Sequence, residues 1–468
     1  MTWHNSLKLI PDAAVGTDSG GRILGAAMTW TLLVVCLLGP VDAVCAQETL
    51  GSQEFTFSQR ADAPLPAAEL LLRPVPDERL ALADLEKMAL VGNPSLARMG
   101  ARVGAAHGNW IQVGLPANPL VGYSGQQVGS SGSAEQHGVV LNQEIIRGGK
   151  LQLNRAVAAQ DVERARQELA AQQQRVLTDV RIAYYQVLTA QRQIDLTDEL
   201  VRVGKQALDA ADALFKAKQV GRADVLQAQL EIENANILSQ NARNRHAASW
   251  HGLAAVVGQP TLPPQPLAGD LLGPPQEFDF QEVVVRLQTS SPEIAAAMSA
   301  IAHARAAWER ARAEPRPNVY LQGLVNVVDN GIGGRPDGAI GVAMPIPVFN
   351  RNQGAILQAQ HEIVASQQAL AQLELDLQHR LAPTYERYAN ARNQVERYRV
   401  TILPAALESL QLMRQSYGAG EVSFVALLTI QRTYSQTNLN YFEALRELRT
   451  SEAEIGGLLL SGSLQNRN

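Results

Sequence analysis

The sequence predicts an exported α+β chain of two similar halves, each a helix, two strands and a very long helical hairpin. Three observations carry this. An apolar N-terminal segment ends in a small-residue cleavage pattern. Two stretches on either side of the middle match at a near-constant offset. And two long runs almost free of helix breakers are each reversed by a short tip, "KAKQVGRADVLQAQ" at 216–229 and "GEVSFVALLTIQ" at 420–431.

The N-terminus reads as an export signal over 1–46. Lys8 and Arg22 lie in a long leading region, "ILGAAMTWTLLVVCLLG" (23–39) is the apolar core, and Val44 and Ala46 are the small residues before a cut. A single spanning anchor is the competing reading, because the apolar run approaches the length of a spanning helix. Cleavage removes two bases against three acids (Asp12, Asp18 and Asp42), moving the net charge from −5 to −4. It also removes both cysteines, Cys36 and Cys45. The mature chain, starting near Gln47, is expected to give no adduct when denatured and treated with a thiol reagent. A diacylated Cys45 would show a lipoprotein route instead.

Of the 468 residues, 18% are charged and only 5% aromatic. Soluble domains average about a quarter charged. Alanine and glutamine fill the gap, which points to close helix-on-helix packing through small side chains. No basic face for nucleic acid is implied.

After a Pro-rich lead (47–78), the first half spans 79–258 and the second 277–461, with a Pro-rich linker at 259–276 and a tail at 462–468. "GNPSLARMGARVGAAHGNW" (92–110) matches "SSPEIAAAMSAIAHARAAW" (290–308), with Pro94 over Pro292 and Trp110 over Trp308 at an offset of 198. Farther on, "EIIRGGKL" (144–151) stands 202 before "IPVFNRNQ" (346–353), and the tips share that offset.

Strands are expected at about 119–128 and 137–146, then 317–328 and 338–348. In the last, Ile340, Val342, Met344, Ile346 and Val348 alternate with small residues, so one face is bulky and apolar. The long helices carry a heptad stripe, Val176, Val180, Ala183, Val187, Ala190 and Ile194, then Val225, Ala228, Ile232 and Ala235 after the first tip. The second half repeats it in Leu427, Ile430, Tyr434, Thr437, Tyr441, Ala444 and Leu448. This is coiled-coil spacing. Pro383 and Pro404 are expected to bend the corresponding rod. Four strands are too few to close a membrane barrel, which needs about eight or more. Closure therefore calls for several copies.

The duplicated order, with "GRADVLQAQ" and "GEVSFVALLTIQ" at the tips and "GVAMPIPVFNRNQG" (341–354) before the second long helix, resembles the TolC-like outer membrane efflux protein family, in its cation-efflux branch. "ILPAALESLQLMRQSYGAGEVSF" (402–424) adds to it, and the likeness covers roughly 80–460. It implies a homotrimer whose strands form a 12-stranded outer membrane β-barrel, continuous with a periplasmic α-helical coiled-coil barrel. It further implies a passive exit duct for small molecules or metal cations. The implied partners are outer membrane lipid, a periplasmic adaptor and an inner membrane transporter of the RND type. A periplasmic coiled-coil adaptor or scaffold without a barrel is the alternative; adaptors usually carry one hairpin, whereas this chain has two.

The tips are then the surface an adaptor can reach. The candidate docking residues are Lys218, Val220, Gly221, Arg222 and Asp224 in tip 218–224, and Gly420, Glu421, Val422, Ser423 and Phe424 in tip 418–424. Gly420 supplies a turn and Ser423 can cap the next helix. Lys218 stands where the family usually has glycine. Asp224 fits the family's aspartate in the first returning turn, favourably placed near a helix N-terminus. Ala426 and Thr429 occupy the region where some members carry gating aspartates, so no such gate is carried over. Nothing indicates an enzyme or a cofactor. His107, His137, His246, His251, His303, His361 and His379 are scattered without metal-ligand spacing, and "GIGGRPDG" lacks the GK[ST] of a phosphate loop.

Overall fold

The computed structural model describes residues 79–128, 132, 134–329, 335–419 and 421–465. The expected signal and lead (1–78) and Gly420 lie outside the described residues. Each half opens with a broken helix, where one continuous helix was expected. α1 (Leu82–Gly92) stops at Asn93, and α2 (Pro94–Gln112) starts on Pro94; α5 (Phe280–Ser290) stops at Ser291, and α6 (Pro292–Ala313) starts on Pro292. The cause is local: proline fits a first helical position but not an interior one. The preceding residue supplies the cap, with Ser95 N–H donating to Asn93 Oδ1 (2.9 Å) and Glu293 N–H to Ser291 Oγ (3.3 Å).

β2 (Leu120–Val128), β3 (Ala134–Ile145), β5 (Val319–Asp329) and β6 (Asp337–Ala343) form one antiparallel sheet in the order β2-β3-β5-β6. Register aligns Val121, Leu141, Gly323 and Ile340 in one row, and Leu120, Asn142, Gln322 and Gly341 in the next. Alternation then places Val121, Tyr123, Val139, Leu141, Val325, Ile340 and Val342 on one face. Gly122, Ser124, Asn142, Gln322, Asn326 and Gly341 fall on the other. The apolar face is bare in a single chain, with Ile340 at 89% and Val121 at 72% exposure. β6 ends at Ala343, five residues short of the expected strand. Pro345 and Pro347 have no N–H for a ladder, so 344–352 continues as an irregular segment, with Val348 N–H turning back on Ile346 O (2.9 Å) and Asn352 at φ 60°.

α3 (Lys150–Lys216) is 67 residues long, about 100 Å at 1.5 Å per residue. It reverses into α4 (Arg222–Val257). In the second half α7 (Gln353–Arg397) runs through Pro383, and a π-helical turn at Tyr398–Ile402 leads into α8 (Leu403–Gly418). The wide turn falls where the Pro404 ring would meet the carbonyl four residues back, at Val400. α9 (Phe424–Gly456) returns the chain. α3 packs on α4, α6 and α9, while α9 also packs on α7 and α8, so α4 and the α7–α8 rod lie at opposite edges of the helical layer.

The first-half seam holds as expected at Val176, Val180, Ala183, Val187 and Ala190, all buried. In α9 the buried position next to the tip is Leu428 rather than Leu427, and the seam returns to Tyr441, Ala444 and Leu448 farther on. α9 has neighbours on two sides, so its buried face is wider than one heptad stripe. Small residues line the contacts: a Cβ on Gly204 would sit 3.3 Å from Ile232 Cα.

The main core lies where both hairpins pass the broken helices, around Leu85, Val187, Trp250, Leu253, Leu287, Leu381, Tyr388, Leu445 and Ile455. The Pro-rich linker crosses it and, unforeseen from sequence, carries a two-residue strand: β4 (Leu267–Ala268) pairs in parallel with β1 (Leu80–Ala81). Buried Arg449 on α9 holds the linker, donating to the carbonyls of Leu271, Gly273 and Pro274. Glu452 pairs with Arg449 (2.8 Å) and accepts from Gln276 N–H (2.9 Å).

The hairpin tips as candidate functional site

Both tips close with the same hydrogen-bonded ring. At the end of α3, Lys218 N–H donates to Phe215 O (2.9 Å) and Gln219 N–H to Leu214 O (2.9 Å), while Lys218 takes φ 57°. This is a Schellman ending with lysine in the left-handed position. A non-glycine residue pays roughly 1–2 kcal/mol there. In the second tip Glu421 N–H donates to Ser416 O (2.9 Å), the counterpart of the Gln219 bond. The residue that would match Lys218 is Gly420, outside the described residues.

The returning helices are capped by opposite means. At α4 the cap residue is Gly221, which has no side chain, so Asp224 reaches back and accepts Gly221 N–H at 3.0 Å. At α9 Ser423 reaches forward and accepts Ala426 N–H at 3.2 Å. Ser423 corresponds to Gly221, and Ala426 to Asp224. Each half therefore keeps one of the two residues of a reciprocal cap. Lys218, Arg222, Glu421 and Ser423 are exposed, Val220 and Val422 are half-buried, and Phe424 opens α9.

The structure brings the two tips to one end of the molecule. Ala211, Ala228 and Leu428 form a small buried cluster there, flanked by Ala207, Leu208, Val225 and Tyr417. Behind it the hairpins are joined by polar contacts that sequence reading missed. Arg432 on α9 donates from Nε to Glu231 Oε2 on α4 at 2.6 Å. These two flank a groove of about 400 Å³ with Leu200, Gly204, Ala235 and Ser435. Farther from the tips Arg245 and Gln193 both reach Glu443 Oε1, at 2.5 and 3.0 Å. Burial alone would raise the Glu443 pKa, but hydrogen bonds from Arg446 and Gln193 and the Arg245 charge outweigh it and hold the carboxyl below its ordinary value. Within the first hairpin Arg243 grips both oxygens of Asp198 (2.9 and 2.8 Å).

Three of the histidines have ring neighbours close by. His107 stacks on Trp110, His246 on Trp250, and Tyr123 Oη lies 2.6 Å from His137 Nδ1. Among the described residues no group of three or more His, Cys, Asp or Glu side chains could hold a metal ion, and no helix is long and apolar enough to cross a membrane.

A four-stranded sheet with one bare apolar face, carried on two long hairpins, is the fold of an outer membrane channel protomer. The chain belongs to the outer membrane efflux protein family, whose family model matches residues 85–259 and 283–459, one segment in each half. It is similar to the cobalt-zinc-cadmium resistance protein CzcC of Cupriavidus metallidurans, 23% identical over 429 residues, covering 91% of this chain and 97% of the relative. Among solved structures it resembles the outer-membrane channel OprN (TM-score 0.66, 20% identity, 82% of this chain and 91% of that one). It also resembles the open state of the Neisseria gonorrhoeae MtrE outer membrane channel (TM-score 0.64, 20% identity, 81% and 89%). The chain is thus an outer membrane efflux channel with a periplasmic extension, the exit duct of a tripartite system.

Proposed function

We propose that three copies of this chain form the duct, that its cargo is metal cations, and that the tips dock a periplasmic adaptor fed by an inner membrane transporter. The observation that carries the reading is that both layers of the protomer are open at both edges. The sheet ends on unpaired β2 and β6. In the helical layer, edge helix α4 leaves Leu226, Leu230 and Ile237 bare, while Leu357, Val364 and Leu375 of α7 and Val400 and Leu407 beyond it are bare at the other edge. Pairing β6 of one copy with β2 of the next would complete the ladder, remove the edges and bury these stripes together. Three copies give twelve strands. The polar and small sheet face then lines the passage, and the apolar face meets lipid.

The likeness to a cobalt-zinc-cadmium resistance protein supports the cation cargo. No resident metal site is needed, because a duct passes its cargo without chemistry. Light scattering of the detergent complex, corrected for bound detergent, is expected to give three times the mature mass; a stable detergent-free monomer would end the barrel argument. Loss of the chain is expected to sensitise its host to cobalt, zinc and cadmium, and unchanged sensitivity would reassign the cargo. Gly420→Val, at a turn position, is expected to spare trimer yield but lower adaptor crosslinking and export together.

A further inference from the structure

The two tips carry opposite, unspent charge. In the first, Lys218 and Arg222 are exposed, and neither has a carboxylate within ion-pair distance among the described residues. The nearby acids are engaged elsewhere: Asp224 caps Gly221 N–H at 3.0 Å, and Asp212 faces Lys216 at 3.9 Å. Phe215 and Leu226, at 41% and 50% exposure, flank these cations with apolar surface. In the second tip the exposed charge is Glu421, likewise without a cation in range among the described residues. Most ion-pair chemistry elsewhere on the hairpins is satisfied, as at Asp198–Arg243, Glu231–Arg432 and Arg245–Glu443.

The position of Lys218 strengthens this. It sits at φ 57°, where glycine would be free of strain. A strained residue kept at an exposed site points to a use for its side chain. Since Ala211, Ala228 and Leu428 hold the hairpins together just behind, both charged tips lie at the same end.

We propose, resting on the docking reading above, that the tips form two non-equivalent adaptor sites of opposite charge. The Lys218–Arg222 tip takes an acidic side chain of the adaptor, and the Glu421 tip takes a basic one. A partner presenting one acid and one base can then engage a protomer in only one order, which sets the rotational register of the adaptor ring on the duct. Charges at such a rim act mainly through encounter rate and partner choice, so the effect is salt-dependent.

The test uses the full-length trimer in its native host, with the adaptor captured by crosslinking the wild type as the probe. The double variant Lys218→Glu/Arg222→Glu is expected to lower crosslinking about tenfold at unchanged trimer yield, a typical scale for losing steered contacts. Second-site revertants in the adaptor should replace an acidic residue by a basic one. Glu421→Lys should lose crosslinking too, and be rescued by the reverse change at a different adaptor position. Revertants that rescue both tips alike, or charge variants that crosslink at the wild-type level in low salt, overturn the proposal. Gly420→Val separates the two readings. If it abolishes crosslinking while the charge variants do not, docking stands and the charge assignment falls; if none of the three has an effect, both fall.

Discussion

Replacing Glu293 with alanine is expected to destabilise the helical body by about 3–5 kcal/mol, the scale for removing one partner of a buried ion pair. Glu293 sits in the first turn of α6, with Arg175 of α3 at 2.8 Å on one oxygen and Arg380 of α7 at 2.7 Å on the other. All three side chains are largely shielded, at 15%, 16% and 26% exposure. Alanine would leave two guanidinium groups together in a poorly solvated site, with Asp376 2.9 Å from Arg380. Burial opposes ionisation of Glu293, but the hydrogen bond and charge of Arg380, with those of Arg175, prevail and depress its pKa. A carboxyl depressed on folding stabilises the protein fully above its unfolded value of about 4.3. That contribution is lost as pH falls through the lower folded value. Thermal unfolding of the detergent-solubilised protein by circular dichroism should therefore show a large gap between wild type and Glu293→Ala at neutral pH, narrowing in acid. Equal melting at neutral pH would remove the triad from the stability account.

Ile340→Arg is expected to abolish outer membrane insertion, while Gln322→Arg is tolerated. The two positions lie in adjacent register rows on paired strands, since Ile340 aligns with Gly323 and Gln322 with Gly341, yet they point to opposite faces. An arginine on the lipid side of a barrel costs about 2–4 kcal/mol near the midplane, and a trimer would bear it three times. On the lumen side it stays in water and narrows the passage. The amount of heat-modifiable protein in outer membrane fractions gives the readout. If Gln322→Arg is the damaging change and Ile340→Arg accumulates normally, the faces are assigned the wrong way round.

Much of this architecture is legible in the sequence because its determinants are local or periodic. Alternation at Ile340 and Val342 gives the face, and breaker-free runs give the rods. Ser423, Asp224 and Gly221 announce the reversals, because capping acts within four residues. The same alternation misled beyond Ala343, where Pro345 and Pro347 keep the pattern but cannot keep the ladder. Asn93-Pro94 and Ser291-Pro292 could have been read as helix starts, since cap-then-proline is a known signature. Other features were out of reach. Glu231 and Arg432 are 201 residues apart, and nothing local marks either as the other's partner. The same holds for the clamp of Arg449 on Leu271, Gly273 and Pro274.

That clamp bears on the order in which the chain can be completed. The linker leaves the first half, yet its carbonyls are satisfied by a side chain of α9, close to the end of the described chain. Until α9 is in place those polar groups have no internal partner, and a chain broken off before it would keep an unfinished middle. Settling of the first half is thus tied to arrival of the last helix, a long-range closure of the kind that slows folding. Pulsed hydrogen exchange during refolding should show the Gln276 amide, which donates to Glu452 of α9, gaining protection together with α9, and no sooner. A chain built this way reaches its finished form only once α9 has been synthesised, so chains cut short of it would not mature or, in the proposed trimer, join and spoil a ring of complete ones.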